Sequence, residues 1–118
     1  MASAYDRLPL GALRMFEAVA SHLSFTVAAE ALNVTPAAVS QQIKTLEAYV
    51  QVPLFRRTGR RVEITAEGLE LLPSVRAGLD RLESAVQQLK RYRRNEAGEM
   101  LQENLGDVSF VPLLGGLG

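Results

Sequence analysis

The sequence predicts a mainly α-helical fold, with a core of three short helices, a small β-hairpin and a long fourth helix. Apolar residues recur at helical spacing in several segments, a stretch with strand alternation follows Pro53, and a heptad pattern then continues to about Arg94. A chain of 118 residues can hold one small domain plus an extension.

The first helix is predicted from about Leu10 to Ser21, because apolar residues fall along one side of this segment. These residues are Leu13, Phe16, Val19 and Ala20. Residues farther along the chain are expected to complete the core with them, namely Phe25, Leu32, Val34 and Leu46. The single histidine, His22, falls near the end of the helix, where we expect a solvated or C-capping role.

Two more helices are predicted on either side of a turn of about three residues. Thr26 is predicted to cap the first helix, and Asn33 to end it in the left-handed conformation. The second helix is predicted from Pro36 to about Val50, with Thr35 as its cap. Helices joined so tightly cross at about 90–120°, which is typical of a helix-turn-helix. A helical hairpin inside another all-α protein is the alternative.

The second of these helices has two different faces. One face is apolar, at the 3–4 spacing that places side chains on a buried stripe: Val39, Ile43, Leu46 and Val50. The opposite face is polar or small and contains no acid: Ala37, Ser40, Gln41, Lys44 and Ala48. Such side chains can hydrogen-bond base edges and permit close approach of the backbone, which favours a helix that binds in the DNA major groove.

A basic hairpin is predicted after this helix. Pro53 prevents the helix from continuing, Thr58 and Gly59 supply a turn, and residues 54–56 can pair with residues 62–64. Four arginines are expected to crowd near its tip: Arg56, Arg57, Arg60 and Arg61. Beside a helix-turn-helix, we interpret the hairpin as a wing that binds phosphates or enters a narrow minor groove. A solvated turn is the alternative.

A long helix is predicted from Thr65, its cap, to about Arg94. Its apolar residues follow a heptad pattern: Leu72, Val75, Leu79, Leu82, Val86 and Leu89. The helix would be about 40 Å long, which exceeds what a three-helix domain can cover. We therefore expect it to dimerise with the same helix of a second subunit. The alternative is that the stripe packs on its own domain or on another domain.

The charge of the chain is segregated along its length. All 13 lysines and arginines lie at or before Arg94, together with nine of the 13 acids, so residues 1–94 carry a net charge of +4. Four acids and no base give residues 95–118 a net charge of −4. Phosphate attraction acts locally, over about 8–10 Å in salt, so the basic part decides the expected affinity for nucleic acid.

The residue content argues against several other functions. The chain has no cysteine and one histidine, so we expect neither a disulfide nor a metal site. No serine–histidine–acid arrangement and no glycine-rich phosphate loop is recognisable, so we predict no catalytic residues, no enzyme activity and no cofactor. Without a run of about 20 apolar residues or a signal peptide, we expect a cytoplasmic protein with no membrane partner.

Three motifs together resemble a known family: FEAVASHLSFTVAAEALNVT, AAVSQQIKTLE and VPLFRR, followed by ITAEG at the start of a long helix. Residues 8–73 resemble the N-terminal domain of LysR-type transcriptional regulators, and the resemblance extends to about residue 92. The resemblance implies a winged helix-turn-helix that dimerises through antiparallel linker helices. It also implies a double-stranded DNA partner, at a dyad-symmetric promoter site.

The resemblance also implies which residues contact DNA. The recognition-helix contacts of the family fall on Thr35, Pro36, Ala37, Ser40, Gln41 and Lys44. The phosphate contacts fall on Ser24, Thr26, Arg56 and Arg57. The family commonly has glutamine where this chain has Pro36, which has no side-chain donor. We therefore expect Gln41 and Ser40 to carry more of the sequence preference.

Three regions are thus predicted: a winged helix-turn-helix in residues 1–65, a linker helix for dimerisation in residues 66–94, and a poorly ordered acidic tail in residues 95–118. Family members continue into an effector-binding domain that this tail cannot form, so we expect neither that domain nor a small-molecule effector. The leading hypothesis is a dimeric, sequence-specific transcription regulator. The alternative is an interaction module that dimerises through the linker helix and titrates or docks a partner regulator.

Overall fold

The computed structural model describes residues 7–98, which form four helices and one hairpin. The elements, in chain order, are α1 (Leu10–His22), α2 (Phe25–Leu32), α3 (Pro36–Val50), β1 (Phe55–Thr58), β2 (Arg61–Ile64) and α4 (Ala66–Gly98). This arrangement confirms the predicted fold class of a three-helix core, a two-stranded hairpin and a long helix. The expectations for the acidic tail fall almost entirely outside the described residues.

The chain divides into two compact units, and the division falls inside α4, between Leu79 and Asp80. The first unit contains a hydrophobic core to which α1, α2, α3, the hairpin and the first part of α4 contribute. Its largest fully buried side chains are Phe16, Val19, Val39, Leu46 and Leu54. Two residues predicted to be buried are instead partly exposed, Val34 at 38% and Val50 at 37%, because each lies at the end of its helix or in the adjoining turn.

The turns of the helix-turn-helix are built by short side-chain and backbone caps. Asn33 ends α2 in the left-handed conformation, and the hydroxyl of Thr35 accepts a hydrogen bond from the Ala38 N–H at 3.1 Å, as predicted. The prediction that Thr26 caps α2 is wrong. Ser24 is the cap, since its hydroxyl accepts from the Val27 N–H at 3.0 Å, and Thr26 lies inside the first turn.

The hairpin begins one residue later than predicted. Phe55 pairs with Ile64, and Arg57 pairs with Val62, in an antiparallel register. Leu54 precedes the strand and is buried instead, and its backbone N–H donates to the Glu47 carboxylate at 2.7 Å. This contact connects the last turn of α3 to the start of β1.

The start of α4 is attached closely to the base of the hairpin. The buried Thr65 hydroxyl donates to the Pro53 carbonyl at 2.8 Å and accepts from the Gly68 N–H at 3.0 Å, so it caps α4 as predicted. Gly68 lies so near that a Cβ atom there would be 2.6 Å from the Leu54 carbonyl oxygen. The position therefore requires glycine because of close backbone approach.

About two turns farther along, α4 is also linked to α1 through a triangle of polar side chains. The Arg76 Nε atom donates to the Glu17 carboxylate at 3.1 Å, and Arg76 Nη2 donates to the Ser21 hydroxyl at 2.9 Å. Ser21 in turn donates to the same carboxylate at 2.8 Å. We refer to Glu17, Ser21 and Arg76 as the polar triangle.

Candidate nucleic-acid interface

The two faces of α3 are separated as the sequence predicts. Val39, Ile43 and Leu46 are at most 3% exposed and hold the helix on the core. On the opposite face, Ala37, Gln41 and Lys44 are exposed and Ser40 is half-buried. A helix fixed by its apolar side therefore presents a polar, acid-free face to solvent.

The amino-terminal end of α3 completes this face. Thr35 and Pro36 are both exposed, and Pro36 occupies the first turn, where its missing N–H leaves no backbone donor unpaired. The Thr35 oxygen is occupied as a cap, but its hydroxyl hydrogen can still donate. The two predicted phosphate contacts on α2, Ser24 and Thr26, lie at the positive end of that helix.

Sequence reasoning missed Thr45 on the outer face of α3. It lies one helical turn after Gln41, is exposed, and donates its hydroxyl to the Gln41 carbonyl at 3.0 Å. With its hydrogen engaged, the hydroxyl oxygen can still accept a hydrogen bond. The i+4 spacing from Gln41 was the available signal.

The sequence predicts that the four arginines of the hairpin crowd near its tip. In the structure they are instead distributed over its two faces and its turn. Directly paired residues share a face, so Arg57 lies with Val62 on the side of the half-buried and buried apolar residues. Arg56 lies opposite Glu63 on the other face, with Arg61. Arg60 occupies the two-residue turn between the strands.

The turn itself needs its glycine, because Gly59 has a φ of 62°. Arg60 follows Gly59 in the turn, and Arg61 is the first residue of β2. All four arginine side chains are exposed. The hairpin thus offers basic groups on both of its faces. On the face of Arg56 and Arg61, the Glu63 carboxylate offsets part of the positive charge.

A groove of about 320 Å³ runs between α3 and β1. Its lining residues are Phe25, Ser40, Ile43, Lys44, Glu47, Phe55 and Arg57. The Arg57 guanidinium lies over the Phe25 ring, with its Cζ atom 4.1 Å from the ring centroid. The fold therefore brings one arginine of the hairpin beside Ser40 and Lys44 of α3, which the sequence places far apart.

Glu47 is a second residue of this groove that sequence reasoning missed. Its Oε2 atom accepts hydrogen bonds from the Leu54 and Phe55 N–H groups, at 2.7 and 3.3 Å. An acid in the last turn of a helix is unfavourable toward the helix dipole, and this was the available signal for a specific partner. The carboxylate fixes the start of β1 and hence the position of Arg57.

The heptad stripe of α4 divides between the two units. Leu72 and Val75 are buried and Leu79 is half-buried, and all three pack with the core of the first unit. Leu82, Val86 and Leu89 are 55%, 53% and 61% exposed. The predicted dimerisation residues thus fall into two groups, and only the second group is free to contact a partner. Tyr92, which was not predicted, is also exposed, at 41%.

Residues 7–98 also lack two other kinds of feature. This part of the chain contains no cluster of three or more histidine, cysteine or acidic residues suited to hold a metal ion. Its helices include none with the length and apolar content needed to cross a membrane.

Comparison with known proteins identifies several relatives of this chain. The HTH-type transcriptional activator AmpR of Providencia stuartii is 54% identical over 84 residues, which cover 71% of this chain and 29% of that protein. The glycine cleavage system transcriptional activator of Escherichia coli (strain K12) is 48% identical over 82 residues, which cover 70% of this chain and 27% of that protein. The chain thus spans less than a third of the length of these relatives.

Solved structures resemble the fold as well. The BenM DNA-binding domain in complex with catB site 1 DNA has a TM-score of 0.66 and 33% identity, and the match covers 71% of this chain and 94% of that one. The CbnR DNA-binding domain in complex with DNA has a TM-score of 0.63 and 29% identity, covering 72% and 98% of the two chains.

The family resemblance seen in the sequence is confirmed by a match over residues 10–69 to the sequence profile of a bacterial regulatory helix-turn-helix family. This match spans just over half of the chain and includes α1, α2, α3, the hairpin and the start of α4. The protein therefore belongs to the bacterial regulatory helix-turn-helix proteins of the lysR family.

Proposed function

We propose that the protein is a dimeric transcription regulator that binds double-stranded DNA sequence-specifically. The observation that carries this proposal is the exposed, acid-free face of α3, which buried Val39, Ile43 and Leu46 hold outward. A helix of this kind suits the major groove, where each base pair presents its own pattern of donors and acceptors. The DNA complexes of the similar BenM and CbnR domains support the same reading.

The side chains of α3 are assigned different roles. Gln41 can donate to and accept from one base edge, and Ser40 can donate or accept through its hydroxyl. Lys44 supplies a positive charge near the groove beside β1. Thr35, Pro36 and Ala37 border the bases at the amino-terminal end of the helix, with only Thr35 able to donate from its side chain.

The remaining basic and capping residues are assigned to the DNA backbone. Ser24 and Thr26 lie at the start of α2, where free N–H groups and the helix dipole attract a phosphate. Arg57 is directed to the backbone next to Lys44. The other three arginines of the hairpin extend the basic surface toward a flanking minor groove: Arg56, Arg60 and Arg61.

The dimer is assigned to the second part of the heptad stripe. Leu82, Val86 and Leu89 are more than half exposed, at spacings of four and three residues along α4. Apolar residues at this spacing pack well against a second helix. Two subunits would present two copies of α3 to a dyad-symmetric promoter site, with half-sites about 34–36 Å apart or a multiple of this distance. A cytoplasmic location follows from the DNA partner.

Selection of bound sequences from a random duplex pool, at two salt concentrations, tests this function. We expect enrichment of one site with two related halves, and a salt-dependent affinity that reports the phosphate contacts. The Gln41→Ala variant, selected in parallel, should lose preference at one position of each half. A pool that stays random for the unaltered protein would refute sequence-specific binding.

A second candidate function rests on the same exposed residues of α4. Leu82, Val86 and Leu89 could pair with a full-length relative and titrate it into mixed dimers, without DNA reading by this chain. Mixing the protein with such a regulator and measuring promoter binding discriminates the two functions. Under the second function, Lys44→Ala would inhibit the regulator as well as the unaltered protein does, whereas Leu89→Asp would not.

A further inference from the structure

A row of aromatic rings leads from the core to the hairpin. The Phe16 ring, which is fully buried, lies 5.5 Å from the Phe55 ring between centroids. The Phe55 ring lies 6.1 Å from the Phe25 ring, with the two planes at 73°. These separations are typical of favourable aromatic pairs, so the orientation of Phe25 is set from the core outward.

Arg57 lies at the outer end of this row. Its guanidinium is 4.1 Å above the Phe25 ring, well inside the range of a cation–π interaction. Stacking uses the flat face of the guanidinium and leaves its N–H edge free to donate. That edge is the part of arginine that binds phosphate oxygens in a bidentate manner. The contact can therefore hold the side chain in place without consuming its donors.

The backbone of Arg57 is also held in place. Glu47 binds the two amides at the start of β1, and Arg57 pairs with Val62 across the hairpin. Arg56, one residue earlier, lies on the other face of the hairpin, opposite Glu63. It shares the charge of Arg57 but not its contact with Phe25, so it provides a matched control.

We propose that Phe25 is a positioning residue for DNA binding, because its ring orients the Arg57 guanidinium toward the DNA backbone next to Lys44. The inference rests on the proposed function and adds a specific role for a residue that would otherwise serve only packing. An unstacked arginine must lose its side-chain freedom when it binds a phosphate, whereas a stacked one has already lost much of it.

A double-mutant cycle tests the inference. Affinities for one selected duplex are measured for the unaltered protein, Phe25→Leu, Arg57→Ala and the double variant. Loss of the stacking should weaken binding about two- to five-fold in Phe25→Leu, and Arg57→Ala should lower the salt slope by about one. In the Arg57→Ala background, Phe25→Leu should have no further effect. Phe25→Tyr, which keeps the ring, should restore the affinity.

The matched cycle uses Arg56→Ala, in which Phe25→Leu should keep its full effect. If Phe25→Leu weakens binding equally with and without Arg57, Phe25 acts through packing alone and the inference is overturned. If Arg57→Ala changes neither the affinity nor the salt slope, no contact exists to be positioned and the inference also fails. In that case base-specific selection by the unaltered protein would leave the proposed function standing.

A measurement without DNA separates the two failures further. In the free protein, the ring current of Phe25 should shift the side-chain protons of Arg57 upfield in the NMR spectrum, and Phe25→Leu should remove the shift. If Phe25→Leu does not fold, Arg57→Lys takes its place in the DNA-binding measurements, because lysine keeps the charge but has no planar face to stack. An unshifted Arg57 in the unaltered protein would overturn the inference whatever the DNA result.

Discussion

Replacement of Gly68 by alanine should destabilise the domain, although alanine is the better helix former. The new Cβ atom would lie 2.6 Å from the Leu54 carbonyl oxygen and 2.6 Å from the Ile64 Cγ1 atom. The isoleucine side chain can rotate, but the Leu54 carbonyl also accepts the Thr65 N–H at 3.0 Å. The base of the hairpin must therefore move away from α4, or that hydrogen bond must lengthen.

The magnitude follows from two opposing contributions. Overpacking typically costs about 1–3 kcal/mol, and contact with backbone favours the upper part of this range. The gain in helix propensity is at most about 1 kcal/mol, and less in the first turn, where Gly68 lies. We expect a net loss of about 1–2 kcal/mol, which lowers the Tm of a domain this small by about 5–15 °C.

Thermal unfolding followed by circular dichroism measures this effect, with Gly78→Ala as the matched control. Gly78 lies in the same helix, and a Cβ atom there would meet no heavy atom within 4 Å. Its replacement should therefore raise the stability by up to about 1 kcal/mol. Equal Tm changes in the two variants, or a higher Tm for Gly68→Ala, would refute the argument that close approach determines this position.

Three other predictions concern the DNA face, the dimer and a helix end. Gln41→Ala should lose about 1–3 kcal/mol of binding free energy at one base position, whereas Arg57→Ala should weaken binding to all sequences alike. Binding to specific and random duplexes checks this, and equal behaviour of the two variants would contradict the assigned roles. Leu89→Asp should shift the protein to monomers in sedimentation, whereas Leu72→Asp should lower the Tm because it buries a charge. An unaltered protein that is monomeric at micromolar concentration would contradict the dimer. Gln51→Gly should raise the unfolding free energy by about 1 kcal/mol in urea titration, because Gln51 has a φ of 64°, and an unchanged midpoint would contradict the strain.

The sequence predicts most of the helices well, because their signals are local. Thr35, Pro36 and Asn33 each have a strong preference for the position that they occupy. The cap of α2 could not be chosen in this way, because Ser24 and Thr26 are equally suitable cap residues two positions apart. The choice depends on the left-handed Leu23, which ends α1 and directs the chain into α2.

The orientation of the arginines is not predictable from composition. A shift of one residue in a strand moves every side chain to the other face, so the late start of β1 decides which arginine meets Phe25. The pattern cannot signal this shift, because Arg56 and Arg57 are identical neighbours.

The division of the heptad stripe is hidden for a similar reason. Leu72 and Leu89 fit the same repeat, and only the fold shows that the first is 9% exposed and the second 61%. An apolar stripe in the sequence indicates a buried helix face, but it does not indicate whether that face packs on its own domain or on another subunit. A substitution of the half-buried Leu79 would therefore affect both folding and association, and sedimentation could not distinguish the two effects.

The polar triangle has a consequence for measurements in salt. Its Arg76 and Glu17 side chains are 47% and 30% exposed, and an ion pair with so much contact with water contributes at most about 1 kcal/mol and is screened by added electrolyte. Added salt that displaces the protein from DNA phosphates therefore also weakens the attachment of α4 to α1. Thermal unfolding of the DNA-free protein over the same range of salt concentrations would separate loosening within the protein from loss of DNA binding.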